Sequence, residues 1–79
     1  MVTPESVKAG IAAGLACEHL EVEGDGQHFQ ALVVSAAFAG KSRVQRHQLV
    51  YAALGERMRE EIHALSMKTV TPQEWRAGG

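Results

Sequence analysis

HLEVEGDGQHFQALVVSAA, residues 19–37, decides how this chain folds. His19-Leu20-Glu21-Val22-Glu23 alternates apolar and polar side chains, the period of a strand with one buried face. Gly24-Asp25-Gly26 follows as a strong turn signal. His28 to Ala37 then reads as a second strand, in which the adjacent Leu32, Val33 and Val34 supply two buried faces. Two strands joined by so short a turn form an antiparallel hairpin.

On the N-terminal side, Thr3-Pro4-Glu5 is a helix start: a capping hydroxyl, proline at the first helical position, then an acid favoured by the helix dipole. Val7, Ile11 and Leu15 recur at helical spacing, so a first helix is expected over Pro4–Ala13, ended by Gly14. On the C-terminal side, Gly40-Lys41 leads into Ser42-Arg43-Val44-Gln45, a capping box that opens a second helix. Val44, His47, Tyr51, Leu54 and Met58 share one face of it. Gly55 weakens it by about 1 kcal/mol relative to Ala and is expected to mark a break. Arg57, Arg59, Glu60 and Glu61 read as a solvated end.

Ile62 to Lys68 alternates as a third strand. A strand–helix–strand unit within one sheet crosses over so that its strands run parallel. Thr71-Pro72-Gln73-Glu74 is another capping box, opening a short helix that carries Trp75, with Arg76 to Gly79 expected to fray. The order is α-β-β-α-β-α. It predicts an α+β two-layer sandwich, one domain over residues 1–79, with helices one and two covering a three-stranded mixed sheet.

Composition narrows the chemistry. A 79-residue chain has a modest core and little room for a deep active-site cavity. No nucleophile–base pair or nucleophile-elbow turn stands out, and the expectation is a binding protein, not an enzyme. With 46% hydrophobic and 22% charged residues, global disorder is excluded. The net charge of −1 argues against a dedicated nucleic-acid binder. Cys17 is the only cysteine, which excludes an internal disulfide and a four-cysteine zinc or iron–sulfur site. The apolar run around Ala31–Ala39 is far too short to span a membrane, and Met1 to Glu5 carries no basic leader segment, so a cytoplasmic protein is expected. Gly40-Lys41-Ser42 superficially suggests a phosphate loop. That motif requires Gly five residues earlier, where this chain has Ser35 within a predicted strand.

Four blocks then resemble the BolA family in order and spacing. They are Phe38-Ala39-Gly40-Lys41-Ser42, Arg46-His47-Gln48-Leu49-Val50-Tyr51, Ile62-His63-Ala64-Leu65-Ser66 and Thr71-Pro72-Gln73-Glu74-Trp75. The resemblance covers about Val7 to Trp75. It implies a fold like a class II KH domain, in agreement with the element order, although the GxxG loop of true KH domains is absent. It implies partnership with a monothiol glutaredoxin, with or without a shared 2Fe–2S cluster, in iron sensing and cluster trafficking. The family is also described as transcription-linked. Its members divide by the His or Cys that the loop between the first two strands offers to the cluster. Here His28 stands at that point, making the chain similar to the His type, and His63 matches the family's C-terminal cluster histidine.

Ligand counting follows from that resemblance. A 2Fe–2S cluster takes four ligands, and this chain offers two imidazoles and one thiol of unplaced geometry. The isolated chain is therefore expected to bind no cluster, with a glutaredoxin cysteine and glutathione completing the set. His47, on the apolar helix face, reads as a half-buried, hydrogen-bonded structural residue, and His19 as an exposed strand residue. Lys41, Arg43, Arg46 and Lys68 form a candidate basic patch, which supports the alternative of a KH-like nucleic-acid-binding regulator contacting DNA through the second-helix region. A weak homodimer is left open.

Overall fold

Each of the three capping signals opens a helix in the computed structural model, which describes residues 2–78 and, within them, all side chains except those of residues 57–59. Helix α1 spans Pro4–Gly14. The Thr3 hydroxyl accepts from the Ser6 N–H at 3.1 Å, and the Ser6 hydroxyl accepts from the Thr3 N–H at 2.9 Å. Val7 and Ile11 of this helix are fully buried. Strands β1 (His19–Gly24) and β2 (His28–Val34) pair antiparallel, with His19 opposite Val34 and Gly24 opposite Phe29.

Strand β2 ends three residues before the expected Ala37. Ser35 is the reason. It is completely buried, and its hydroxyl donates to the Ala16 carbonyl at 2.7 Å while accepting from the Ala37 N–H at 3.2 Å. That cap starts a single 3-10 turn, Ala36–Phe38, which delivers Phe38 into the core.

Helix α2 spans Arg43–Glu61 and opens on the expected reciprocal cap, Ser42 N–H to Gln45 Oε1 at 2.9 Å and Gln45 N–H to Ser42 Oγ at 3.2 Å. It breaks at Gly55, where φ is +81° and ψ 162°, a backbone conformation that side chains with a Cβ rarely adopt. The buried stripe differs from the expected one. Val50 and Leu54 anchor it with His47 and Tyr51 half-buried, whereas Val44 is 66% exposed. The cause is where α1 crosses. A Cβ added to Gly14 would lie 2.6 Å from the Ala53 Cα, so the helices meet at Ala53, well beyond the first turn that carries Val44. Met58, also expected on this face, lies with Arg57 and Arg59 outside the described side chains; Glu60 and Glu61 are exposed as expected.

Strand β3 (Ala64–Val70) runs parallel to β2, His28 opposite Ala64 and Val34 opposite Val70, giving the sheet order β1-β2-β3. It starts two residues later than expected. The ladder begins where the Ala64 N–H meets the Gln27 carbonyl at 3.0 Å, and Ile62 packs against the core before the strand starts. Helix α3 (Pro72–Arg76) carries the expected capping box, Thr71 with Glu74. The expected fraying at Arg76 is not seen. Arg76 Nη2 pairs with Glu18 Oε1 at 2.9 Å, and Trp75 stacks on His19 with ring centroids 4.6 Å apart. Gly79 lies outside the described residues. Phe29, Ala31 and Val33 of β2 are buried with α1 and α2 residues in one core, while Gln30 is exposed on the opposite face.

Candidate functional site

The parallel register brings the starts of β2 and β3 together at one end of the sheet. His28 is the first residue of β2, opposite Ala64, and His63 immediately precedes Ala64, one residue outside the strand it was expected to begin. Their rings meet edge to face, centroids 5.6 Å apart with an interplanar angle of 86°. Both residues are exposed, the His28 side chain 65% so. Metal–nitrogen bonds of about 2.1 Å place two imidazole centroids on one tetrahedral ion roughly 5 Å apart. The centroid spacing of the pair is close to that of two neighbouring ligand positions. Among the described residues, no group of three His, Cys, Asp or Glu side chains gathers around a single metal position.

Cys17 does not join them. It precedes β1 at the opposite end of the sheet, where its Sγ donates to the Leu15 carbonyl at 3.4 Å and burial raises its pKa. Asp25 does stand beside His28. Its Oδ1 accepts from the N–H groups of Gln27 and His28 at 3.0 and 2.9 Å, and its Oδ2 lies 3.9 Å from His28 Nδ1. Those backbone N–H groups, His28's first, hold the Asp25 carboxyl below its ordinary value.

Lys41, Arg43, Arg46 and Lys68 all line a second feature, an open groove of about 610 Å³ between the start of α2, β3 and α3. Arg46 is not a free cation there. Its Nε donates to the Lys41 carbonyl at 3.0 Å, its Nη1 to the Thr69 carbonyl at 3.0 Å and to Glu74 Oε1 at 2.8 Å, and its Nη2 to Glu74 Oε2 at 3.3 Å. Arg46 and the Thr71 backbone N–H pull the Glu74 pKa down to about 2. Lys41, Arg43 and Lys68 make no ion pair among the described residues.

Two expectations for the remaining histidines need correction. His47 is half-buried as expected, but its Nε2 has no hydrogen-bond partner among the described residues. Its neighbour Arg46 instead reaches β3, where Nη1 donates to the Thr69 carbonyl. His19 is half-covered by Trp75 and contacts Glu21. Sequence reasoning missed Asp25 and Glu74. The Asp-Gly turn signal pointed at Asp25, whereas nothing local points from Glu74 to a guanidinium 28 positions away.

The molecule is thus a small α+β domain presenting paired surface imidazoles at one sheet end and a basic groove beside its second helix. Residues 4–74 match the BolA-like protein family, and the chain belongs to it. It is 48% identical over 81 residues to Protein BOLA2 of Arabidopsis thaliana, covering 96% of this chain and 86% of that protein. It is 42% identical over 59 residues to the DNA-binding transcriptional regulator BolA of Haemophilus influenzae, covering 75% and 57%. Among solved structures, a bolA protein homologue from Coxiella burnetii superposes with a TM-score of 0.81 at 47% identity, covering 96% of this chain and 99% of that one.

Proposed function

We propose that this chain is an adaptor that binds a monothiol glutaredoxin and completes a shared 2Fe–2S site through His28 and His63. The observation that supports this reading most directly is the pairing of two exposed imidazoles at ligand spacing where the two strands begin. Two ligands leave a four-ligand cluster half-bound, so a partner cysteine and glutathione are needed. When bound, the cluster would supply an exchangeable iron–sulfur unit. Imidazole ligation raises its potential relative to all-thiolate ligation, and ligand protonation makes its retention pH-dependent. Both properties suit a transferable or sensing cluster.

The test is anaerobic reconstitution with a monothiol glutaredoxin, glutathione, iron and sulfide. The expected result is a coloured heterodimer containing one cluster, with the chain colourless when treated alone. A single chain that retains a stoichiometric cluster as a monomer would refute the ligand count.

The gathering of Lys41, Arg43 and Lys68 around one groove, with the likeness to the Haemophilus DNA-binding transcriptional regulator, supports a second reading as a DNA-contacting regulator. Three cations without an ion pair among the described residues limit its salt dependence to a slope in log K of about −3 against log salt. Binding to generic DNA that is unchanged from low to high salt would exclude this groove as the contact.

A further inference from the structure

Strand β3 is an edge of the sheet, since the strand order is β1-β2-β3. In a parallel ladder each residue turns its N–H and its carbonyl to the same side, and successive residues alternate sides. The Ala64 N–H donates to the Gln27 carbonyl, and the Val70 carbonyl accepts from the Ser35 N–H. Even-numbered residues of β3 therefore face β2, and Leu65, Met67 and Thr69 face outward. The Thr69 carbonyl agrees with this phase, because Arg46 Nη1 reaches it at 3.0 Å from outside the sheet. Among the described residues, the outward N–H groups of Leu65, Met67 and Thr69 and the outward carbonyls of Leu65 and Met67 have no hydrogen-bond partner. From Met67 to Val70 this edge opens into the groove beside the start of α2.

Lys41, Arg43 and Lys68 stand around that groove, all exposed and all without an ion pair among the described residues. A lone lysine on an edge strand ordinarily discourages pairing with another chain. Cations gathered from both sides of the groove do something different: they favour an anionic strand over a neutral or basic one. The groove already accommodates a carboxylate, since Glu74 accepts from two nitrogens of Arg46 at 2.8 and 3.3 Å. A second copy of β3 would bring the same cations face to face, which disfavours pairing of two copies through this edge. We infer that the β3 edge is a docking site for an extended acidic segment of a partner protein, which adds to the sheet as a fourth strand beside residues 65–69. Its backbone pairs with the outward groups of Leu65, Met67 and Thr69, and its carboxylates meet Lys41, Arg43 and Lys68. The Thr69 carbonyl, already taken by Arg46, marks one end of the pairing. The inference does not rest on the cluster reading.

The test uses the 15N-labelled chain and a short synthetic peptide of alternating valine and glutamate. Amide hydrogen exchange and the fluorescence anisotropy of a dye-labelled copy of the peptide read the binding. At a peptide concentration about ten times Kd, exchange at Leu65, Met67 and Thr69 should slow roughly tenfold. Exchange at Ser66 and Lys68, whose N–H groups already face β2, should change little. Lys68→Glu and Arg43→Glu, both at exposed positions, should each weaken binding roughly fivefold without moving the melting temperature. A peptide with lysine in place of glutamate should not bind the parent chain, a comparison that alters no residue of the protein. N-methylation of every second peptide amide should abolish binding in one of its two phases. No slowing at the outward amides with peptide at about 1 mM would overturn the inference. So would equal slowing along residues 65–69, or full binding by both N-methylated peptides, since either leaves charge at work without strand pairing. Slowing that grows with protein concentration in the absence of peptide would make a second copy the occupant. A duplex oligonucleotide that protects these amides where the peptide does not would give the groove to nucleic acid. Either of those results overturns the inference as well.

Discussion

Arg46→Met tests how the C-terminal helix is held to the rest of the molecule. Methionine keeps an unbranched stem under Phe38, whose ring centroid lies 5.9 Å from the guanidinium, and deletes every N–H contact. The Arg46 side chain is only 15% exposed, so its bonds are more sheltered than those of an ordinary surface arginine. Two of them reach carbonyl oxygens, of Lys41 and Thr69, from a charged donor. Such bonds contribute about 1.5–3 kcal/mol each when buried. The bond to Lys41 is exposed and the bond to Thr69 only part-buried, so about 1 kcal/mol each is appropriate. The Glu74 contacts are exposed and screened, and are left out of the sum. The expected loss is about 2 kcal/mol, or roughly 10 °C in melting temperature for a domain of this size. Urea titration with Trp75 fluorescence reads it, since Trp75 is the single tryptophan and rides on the helix that Arg46 fastens. The midpoint should fall by about 1–2 M. A loss below about 0.5 kcal/mol, within the range of unremarkable surface substitutions, would refute the clasp.

His47→Leu should be neutral or stabilising by up to about 1 kcal/mol, because it removes a buried nitrogen that has no partner among the described residues; a urea midpoint clearly lower than the parent's would mean that Nε2 is satisfied in solution. Gly14→Ala should cost about 1–3 kcal/mol, since its Cβ would meet the Ala53 backbone at 2.6 Å and only a shift between α1 and α2 relieves it; an unchanged melting temperature would show that the crossing is loose. Glu74 has a folded-state pKa lowered from 4.5 to about 2, so its ionised form stabilises the fold fully above about pH 4.5 and that contribution disappears as pH falls through about 2. Glu74→Gln should therefore flatten the acid limb of the melting temperature against pH across that window, and an unaltered limb would place the acid sensitivity elsewhere.

The sequence was legible wherever structure is decided locally. The capping boxes at Ser42 and Thr71 depend on residues three apart and open helices at those places. The Gly24-Asp25-Gly26 turn needs only its own residues, and the pairing of strands across it follows. The meeting of His28 with His63 was partly legible too, because a parallel crossover sets the starts of β2 and β3 side by side. What escaped was decided across the fold. Ser35 ends β2 because a carbonyl 19 positions away accepts its hydroxyl. Val44 is bare because α1 crosses at Ala53. Arg46 looked like a phosphate contact, yet its guanidinium is engaged by Glu74 and Thr69. Periodicity along one helix carries no information on such partners. The carboxylate beside His28 was missed for another reason: Asp25 was read as a turn former, and a turn former can also face the ring it leads into.

His63 carries the central claim. It lies outside the regular ladder and is exposed, so His63→Ala should leave the fold and the melting temperature close to those of the parent. The decisive measurement is visible absorption and circular dichroism of the His63→Ala complex with a monothiol glutaredoxin, glutathione, iron and sulfide, followed over time beside the parent complex. The expected result is a folded chain whose complex fails to hold the shared cluster. A folded His63→Ala chain whose complex shows the parent spectrum and lifetime would contradict the assignment of the paired imidazoles as ligands.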